Sequence, residues 1–270
     1  MIFFPPAKIN LGLRVLFKRS DGYHEIDSCM LPIPLVDVLE IIPSAHFSFQ
    51  QTGLIIPGNN SDNLCVKAYE LMKDAYSLPP VYIHLRKEIP MGAGLGGGSA
   101  DAAYVLRALN SLFDLKCTSV ELEKKSAQLG SDCPFFIKDV PQIAKGRGEV
   151  LSPCNVSLKG YYLKIVNPGI HVGTKEAYEG IVLCPDAPSV QSIVEGPIES
   201  WKDQLVNDFE FSVFAQHPML ADLKSTLYNE GAVYASMSGS GSTMFGVYKD
   251  EPSLTFQDDS TYLEKIIRFS

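Results

Sequence analysis

The stretch Pro90-Met91-Gly92-Ala93-Gly94-Leu95-Gly96-Gly97-Gly98-Ser99-Ala100-Asp101-Ala102-Ala103 sets five glycines within seven residues and then runs straight into a helical pattern. Glycine accepts positive φ and carries no Cβ, so such a loop bends tightly and can press its backbone against a ligand. Downstream, Val105, Leu106, Leu109, Leu112 and Phe113 recur three or four apart, as on one face of a helix. Upstream, Val81-Tyr82-Ile83-His84-Leu85-Arg86-Lys87 alternates, with Val81, Ile83 and Leu85 on one face, as in a half-buried strand. A helix begins with unpaired N–H groups and the positive end of its dipole. Strand, glycine loop and helix in that order read as an anion site, and phosphate is the usual anion.

Known phosphate loops fit unequally. Gly92, Gly94 and Gly97 satisfy G-x-G-x-x-G, a weak signal alone. A dinucleotide domain also wants an acidic residue about twenty positions on, closing a second strand, whereas Asp114 falls where the helix ends. The P-loop needs Lys and then Ser or Thr after its last glycine; here Gly98 is followed by Ser99-Ala100. The H-R-D and D-F-G landmarks of protein kinases are missing. A flexible linker would not sit between an alternating strand and an amphipathic helix.

Two further segments stand out. Near the N-terminus, Pro5-Pro6-Ala7-Lys8-Ile9-Asn10-Leu11-Gly12-Leu13-Arg14-Val15 alternates, with Ile9, Leu11, Leu13, Val15 and Phe17 opposite Lys8, Asn10, Gly12 and Arg14. Period two puts Lys8 and Asn10 on one face, about 7 Å apart; on pattern alone this is an amphipathic strand with a solvated polar face. Arg19-Ser20-Asp21-Gly22-Tyr23-His24 follows, with Asp-Gly as a turn and Tyr23 and His24 opening the next element. Near the C-terminus, Ser238-Gly239-Ser240-Gly241-Ser242 lies between the strand-like Val233-Tyr234-Ala235 and Met244-Phe245-Gly246-Val247-Tyr248, which favours a structured turn over a linker.

These three segments, in this order, resemble the motifs of the GHMP kinases, the galactose, homoserine, mevalonate and phosphomevalonate kinases. Their phosphate loop reads P-x-x-x-G-L-G-S/G-S-(S/A), which Pro90 through Ala100 matches, and the resemblance spans residues 5 to 248. It implies an α+β fold with two domains, an N-terminal nucleotide domain (1–155) and a ferredoxin-like C-terminal domain (156–270), and an active site in the cleft between them. P-A-K-I-N-L followed by R-x-D-G-Y-H is similar to the branch that phosphorylates a cytidine-diphosphate-linked alcohol. The alternatives are a GHMP kinase for another alcohol, the decarboxylase branch of the family, and a catalytically dead nucleotide-binding regulator.

The resemblance also implies roles. Thr118-Ser119-Val120-Glu121 is a capping box that opens a helix, Gly130 reads as its terminator, and Ser131-Asp132-Cys133-Pro134-Phe135-Phe136 leads into an apolar strand. Locally, Asp132 reads as a turn or capping residue; the family motif G-(S/A)-D-x-P makes it the catalytic aspartate, able to accept the acceptor hydroxyl's proton. Lys8 matches its partner lysine, and an opposite charge close by favours the ionised acid. Residues 90–100 match the ATP phosphate loop, and Lys87 and Asp62-Asn63 match residues near the adenine pocket. Asn10, Tyr23 and His24 match the cytidine-diphosphate side, while Thr174 and Tyr178 match the acceptor pocket, with Tyr178 stacking on cytosine. Ala100 stands where many members have a second serine, leaving Ser99 as the loop hydroxyl able to approach Mg²⁺ or phosphate. No protein metal ligand is assigned, and Mg²⁺ is expected to enter with ATP. Gly146-Arg147-Gly148-Glu149 also fits the family, without an evident role.

Composition narrows the partners. A net charge of −8 repels nucleotides and nucleic acids in bulk, so anion binding must be local and a nucleic-acid function is disfavoured. No apolar run approaches the roughly 20 residues of a membrane span. The start Met-Ile-Phe-Phe-Pro-Pro lacks the basic region of a signal peptide. Six scattered cysteines without C-x-x-C, and five scattered histidines, argue for free thiols in the cytoplasm and against a metal cluster. The expected partners are ATP and a small-molecule substrate, with the protein a monomer or homodimer.

Overall fold

The computed structural model describes residues 1–270 apart from Pro57, Gln257, Asp258, Ser260 and Ser270. Along the chain come β1 (Ile2–Phe3), β2 (Pro6–Lys18), β3 (His24–Val36), β4 (Val38–Pro43), β5 (Ser48–Gly53), α1 (Leu64–Tyr76), β6 (Val81–Lys87), α2 (Gly97–Leu112) and α3 (Ser119–Ser126). Next are β7 (Gln142–Lys145), β8 (Val150–Pro153), β9 (Tyr162–Asn167), α4 (Thr174–Tyr178), α5 (Val190–Val194) and α6 (Trp201–Gln204). The remainder comprises α7 (Phe209–Gln216), α8 (Pro218–Asn229), β10 (Tyr234–Met237), β11 (Met244–Tyr248) and β12 (Leu263–Arg268). The residues form two compact units that interleave: Met1–Lys8, Pro32–Met91 and Gly96–Val140 make the first, and Ile9–Leu31, Gly92–Leu95 and Pro141–Ser270 the second.

In the first unit a sheet of order β1-β4-β6-β5 is antiparallel except where β5 runs parallel to β6. The alternation of β6 sends Val81, Ile83 and Leu85 into the core, and the same period carries Lys87 in after them, all at 0 % exposure. The periodic face of α2 buries Val105, Leu106 and Leu109 against α1, β4 and a 3₁₀ turn at Cys133–Ile137. Burying a side chain of that size contributes about 1.5–3 kcal/mol. The 3₁₀ turn replaces the strand expected after Asp132. Pro134 at its start has a fixed φ suited to a helical turn and no N–H to give a sheet ladder. The Thr118 capping box of α3 forms as expected, with Glu121 accepting from Thr118 N at 2.8 Å, but the helix ends at Ser126, before Gly130.

The second unit holds most of a sheet of order β2-β3-β7-β8 and a separate antiparallel sheet of order β10-β11-β9-β12. Renumbered within itself, the latter has the 4-1-3-2 order of a ferredoxin-like sheet, with α8 packed on β10 and β11. The second crossover, residues 249–262, has no helix among its described residues. Helices α6 and α7 are separated by residues 205–208, where Leu13 N and O bond to Val206 and Asp208. Strand β2 departs from the amphipathic expectation, because Lys8 (3 % exposed) and Asn10 (1 %) are as buried as Ile9 and Leu11. A strand buried on both faces needs partners for its polar side chains.

Candidate active site

The glycine loop leaves β6 and ends at Gly96, the N-cap of α2, where φ is 70°. A Cβ at Gly96 would lie 2.9 Å from Phe136 Cζ and 3.1 Å from Lys8 Cγ, so both backbone conformation and space require glycine. The first intrahelical bond of α2 runs from Ala100 N to Gly96 O at 2.9 Å, leaving the N–H groups of Gly97, Gly98 and Ser99 ahead of it as donors for an anion. Gly96→Val is expected to weaken ATP binding about 5- to 150-fold, the range for roughly 1–3 kcal/mol of backbone strain. Calorimetry checks this on a variant whose melting temperature confirms folding, and wild-type affinity would remove the loop from the phosphate site.

Beside that helix start, Lys8 Nζ approaches Asp132 Oδ2 at 3.6 Å. The Lys8 side chain is 4 % exposed and that of Asp132 is 33 % exposed. Burial drives the Lys8 ammonium below its ordinary pKa, and the Asp132 charge and hydrogen bond offset this only in part. Ser99 engages the Cys133 thiol, tying the loop hydroxyl to the segment that carries Asp132. One carboxylate with an accessible edge, one buried cation and a helix N-terminus thus meet within the first unit. This set can accept a proton, neutralise a developing charge and hold phosphate oxygens.

Asp62, Asn63, Leu64, Met91, Gly98 and Asp101 line a hollow beside the loop. Asn63 caps α1, its side chain accepting from Cys65 N at 2.9 Å. Lys87, expected near an adenine pocket, has its ammonium fully buried between Asp37 and Asp101, the latter at 2.9 Å. Burial pulls this ammonium down, yet the two carboxylates outweigh it and the net shift is upward. Burial pushes the Asp101 carboxyl up to about 7 against the pull of Lys87, and its Oδ1 has no hydrogen-bond partner among the described residues. Sequence reasoning did not single out Asp37 or Asp101.

In the second unit, the loop tip Gly92–Leu95 is braced by the serine–glycine turn near the C-terminus. Ser238 Oγ donates to Gly94 O at 2.9 Å and Thr243 N to Ala93 O at 3.2 Å. A Cβ on Gly94, whose φ is 76°, would fall 1.9 Å from the Ser238 carbonyl oxygen. Asn10 N donates to Ser238 Oγ at 3.3 Å and Asn10 Nδ2 to Ser28 Oγ at 2.8 Å. His24 stacks on Tyr178, with ring centroids 4.6 Å apart and planes 14° from parallel, and Phe209 meets Tyr178 edge-on at 4.8 Å. Burial, then the Lys18 charge, lowers the His24 pKa and favours the neutral imidazole. Thr174 opens α4, exposed, four positions before Tyr178. Tyr23, 55 % exposed, lies under the Arg147 guanidinium, 4.7 Å from its ring centroid. The Gly146–Glu149 segment is the turn between β7 and β8, anchored by Gly146 N donating to Glu25 Oε1 at 2.8 Å, and it supplies that cover.

The chain belongs to the GHMP kinase family. Residues 63–139 match the model of the GHMP kinases N terminal domain and residues 189–255 that of the GHMP kinases C terminal. It is 49 % identical over 268 residues, 99 % of each chain, to the 4-diphosphocytidyl-2-C-methyl-D-erythritol kinase of Cytophaga hutchinsonii. It is 48 % identical to that of Bacteroides thetaiotaomicron, over 97 % of both. A crystal structure of 4-(cytidine 5'-diphospho)-2C-methyl-D-erythritol kinase superposes with a TM-score of 0.78 at 35 % identity, covering 91 % of this chain and 89 % of the other. Methanococcus jannaschii mevalonate kinase shares the fold, with a TM-score of 0.70 at 12 % identity over 100 % and 98 % of the two chains. Among the described residues, no helix is long and apolar enough to cross a membrane.

Proposed function

We propose that this chain transfers the γ-phosphoryl group of ATP to the 2-hydroxyl of 4-diphosphocytidyl-2-C-methyl-D-erythritol, a step in the non-mevalonate route to isoprenoid precursors. The observation that carries the chemistry is the Lys8–Asp132 pair beside the N-terminus of α2. Phosphoryl transfer needs positioning and charge stabilisation more than covalent help from the protein. In this reading Asp132 accepts the hydroxyl proton while Lys8 steadies the acceptor oxygen or the transferring phosphate. The α2 amides hold ATP's phosphates, and the hollow at Asn63 takes its nucleoside. Asn10, Tyr23, His24, Thr174 and Tyr178 bind the cytidine-diphosphate alcohol.

Among the described residues no group of three or more His, Cys, Asp or Glu is arranged to hold a metal. Mg²⁺ would enter bound to the ATP phosphates and water, supplying charge neutralisation when present. All six cysteines are free, in keeping with a cytoplasmic enzyme.

The direct test is transfer from ATP to the cytidine-diphosphate alcohol by purified protein, followed by ³¹P NMR for a new phosphomonoester; no transfer overturns the reading. Tyr178→Ala is then expected to raise KM for the alcohol about 5- to 150-fold, since stacking on a base contributes roughly 1–3 kcal/mol. ATP affinity should hardly move. An unchanged alcohol KM would take Tyr178 out of the cytosine site.

A further inference from the structure

Three buried charges sit behind the glycine loop. Asp37, the single residue between β3 and β4, is 0 % exposed, as is Lys87, and Asp101 is 2 % exposed. Asp37 Oδ1 accepts from the backbone N–H groups of Glu88 at 2.5 Å and Ile89 at 2.9 Å, the first two residues after β6. Its Oδ2 accepts from Lys87 Nζ. Lys87 Nζ then donates to Asp101 Oδ2 at 2.9 Å, in the second turn of α2. A Cβ on Gly97, the first residue of α2, would fall 2.8 Å from Lys87 Nζ and 2.8 Å from Ile89 Cγ2. The strand exit and the helix start are therefore joined through two carboxylates and the one ammonium between them.

A loop this rich in glycine has more conformations to lose than any other sequence of its length. Unless its ends are held, a ligand that needs the loop in one shape must supply the ordering itself, and affinity falls accordingly. Keeping two acids and a lysine out of water is also unfavourable unless their geometry is well satisfied. An apolar trio would fill the same space more cheaply, but it would not hold the Glu88 and Ile89 amides.

We propose that Asp37 is a positioning residue for nucleotide binding, fixing through Lys87 and the Glu88 and Ile89 amides the two anchors of the loop that receives ATP. The proposal rests on the reading of that loop as the ATP phosphate site. Asp37 touches no reacting atom, so its effect falls on ATP affinity and spares the transfer step.

The experiment uses full-length Asp37→Asn, with ATP Kd, KM for ATP, KM for the alcohol, kcat, and hydrogen exchange of residues 88–100 without ligand. Asparagine keeps the shape but cannot serve the amides and the ammonium as an anion. ATP Kd and KM are expected to rise about 10- to 100-fold, in the range of ordinary coupling between sites, with loop amides exchanging faster. The alcohol KM and kcat should stay within about 3-fold, a split that simple loss of folded protein would not produce. Should that variant fail to fold, Asp101→Asn keeps the side chain's volume at the edge of the hollow and leaves Lys87 paired with Asp37, weakening the tie to α2. Its ATP Kd is expected to rise about 10-fold, with residues 97–100 exchanging faster without ligand, which a lost ligand contact alone would not produce. ATP Kd within 2-fold of wild type in the folded variant overturns the proposal. If the unaltered protein itself fails to bind ATP, it is the reading of the loop that fails.

Discussion

Asp132→Asn is expected to lower kcat about 10²–10⁴-fold, the range for losing a positioned general base. Asparagine keeps the size of the aspartate and its place at the start of the 3₁₀ turn, but has no carboxylate to take the hydroxyl proton. In the proposed reading the backbone amides of the loop and α2 hold the phosphates, so ATP affinity should change little. Removing the carboxylate also deprives Lys8, 3 % exposed, of the charge 3.6 Å away that partly offsets its burial. The variant should therefore melt at a lower temperature as well. Steady-state kinetics with separate ATP binding and a melting curve distinguish the two effects. A kcat within a few-fold of wild type would exclude Asp132 as the base and leave positioning alone to explain the rate.

The second large effect concerns substrate choice. The kcat/KM for the cytidine-diphosphate alcohol is expected to exceed that for mevalonate, homoserine or galactose by about 10⁴-fold or more. A site that pairs its polar groups with one ligand rejects ligands that leave them unpaired by that order. Neutral His24 offers one donor and one acceptor, which suits the polar edge of cytosine. In the proposed reading the stacked His24 and Tyr178 rings, with Phe209 edge-on to Tyr178, form the aromatic side of the site for a planar base. None of those three alcohols carries a planar aromatic base to fill it. Comparable turnover of mevalonate or homoserine would leave a GHMP kinase with a different substrate.

Local pattern carried much of the architecture. The alternation of β6, the periodicity of α2 and the Thr118 capping box depend on neighbours within a few residues, and each formed. The same alternation held information beyond what was drawn from it, because Lys87 is two positions past Leu85 and so shares the core face. A lysine at 0 % exposure demands counter-charges. Which acids supply them, Asp37 and Asp101, depends on pairing between β4 and β6 and on the packing of α2, which no local window contains. The Lys8–Asp132 pair is of this kind too, with partners at distant points of the chain, and it was legible only through resemblance to a family. Local pattern misled where it lacked context. The apolar run after Asp132 reads as strand until Pro134 is weighed, and the polar face of β2 reads as solvated because the chain that covers it lies far away.

The route of the backbone has a consequence for synthesis. Strand β3 pairs with β7, Ser28 opposite Ala144 and Cys29 opposite Ile143, so the N-terminal hairpin leaves the ribosome long before its neighbour exists. At roughly 5–20 residues per second the wait lasts on the order of ten seconds, far longer than a hairpin needs to form. Throughout that interval β3 presents an open edge flanked by apolar side chains such as Met30, Leu31 and Ile33, all buried in the finished protein. Such an edge is a template for pairing with another nascent chain. Strand β7, residues 142–145, is the segment that covers this edge, so the exposure ends only when it has left the ribosome and paired with Ser28–Met30.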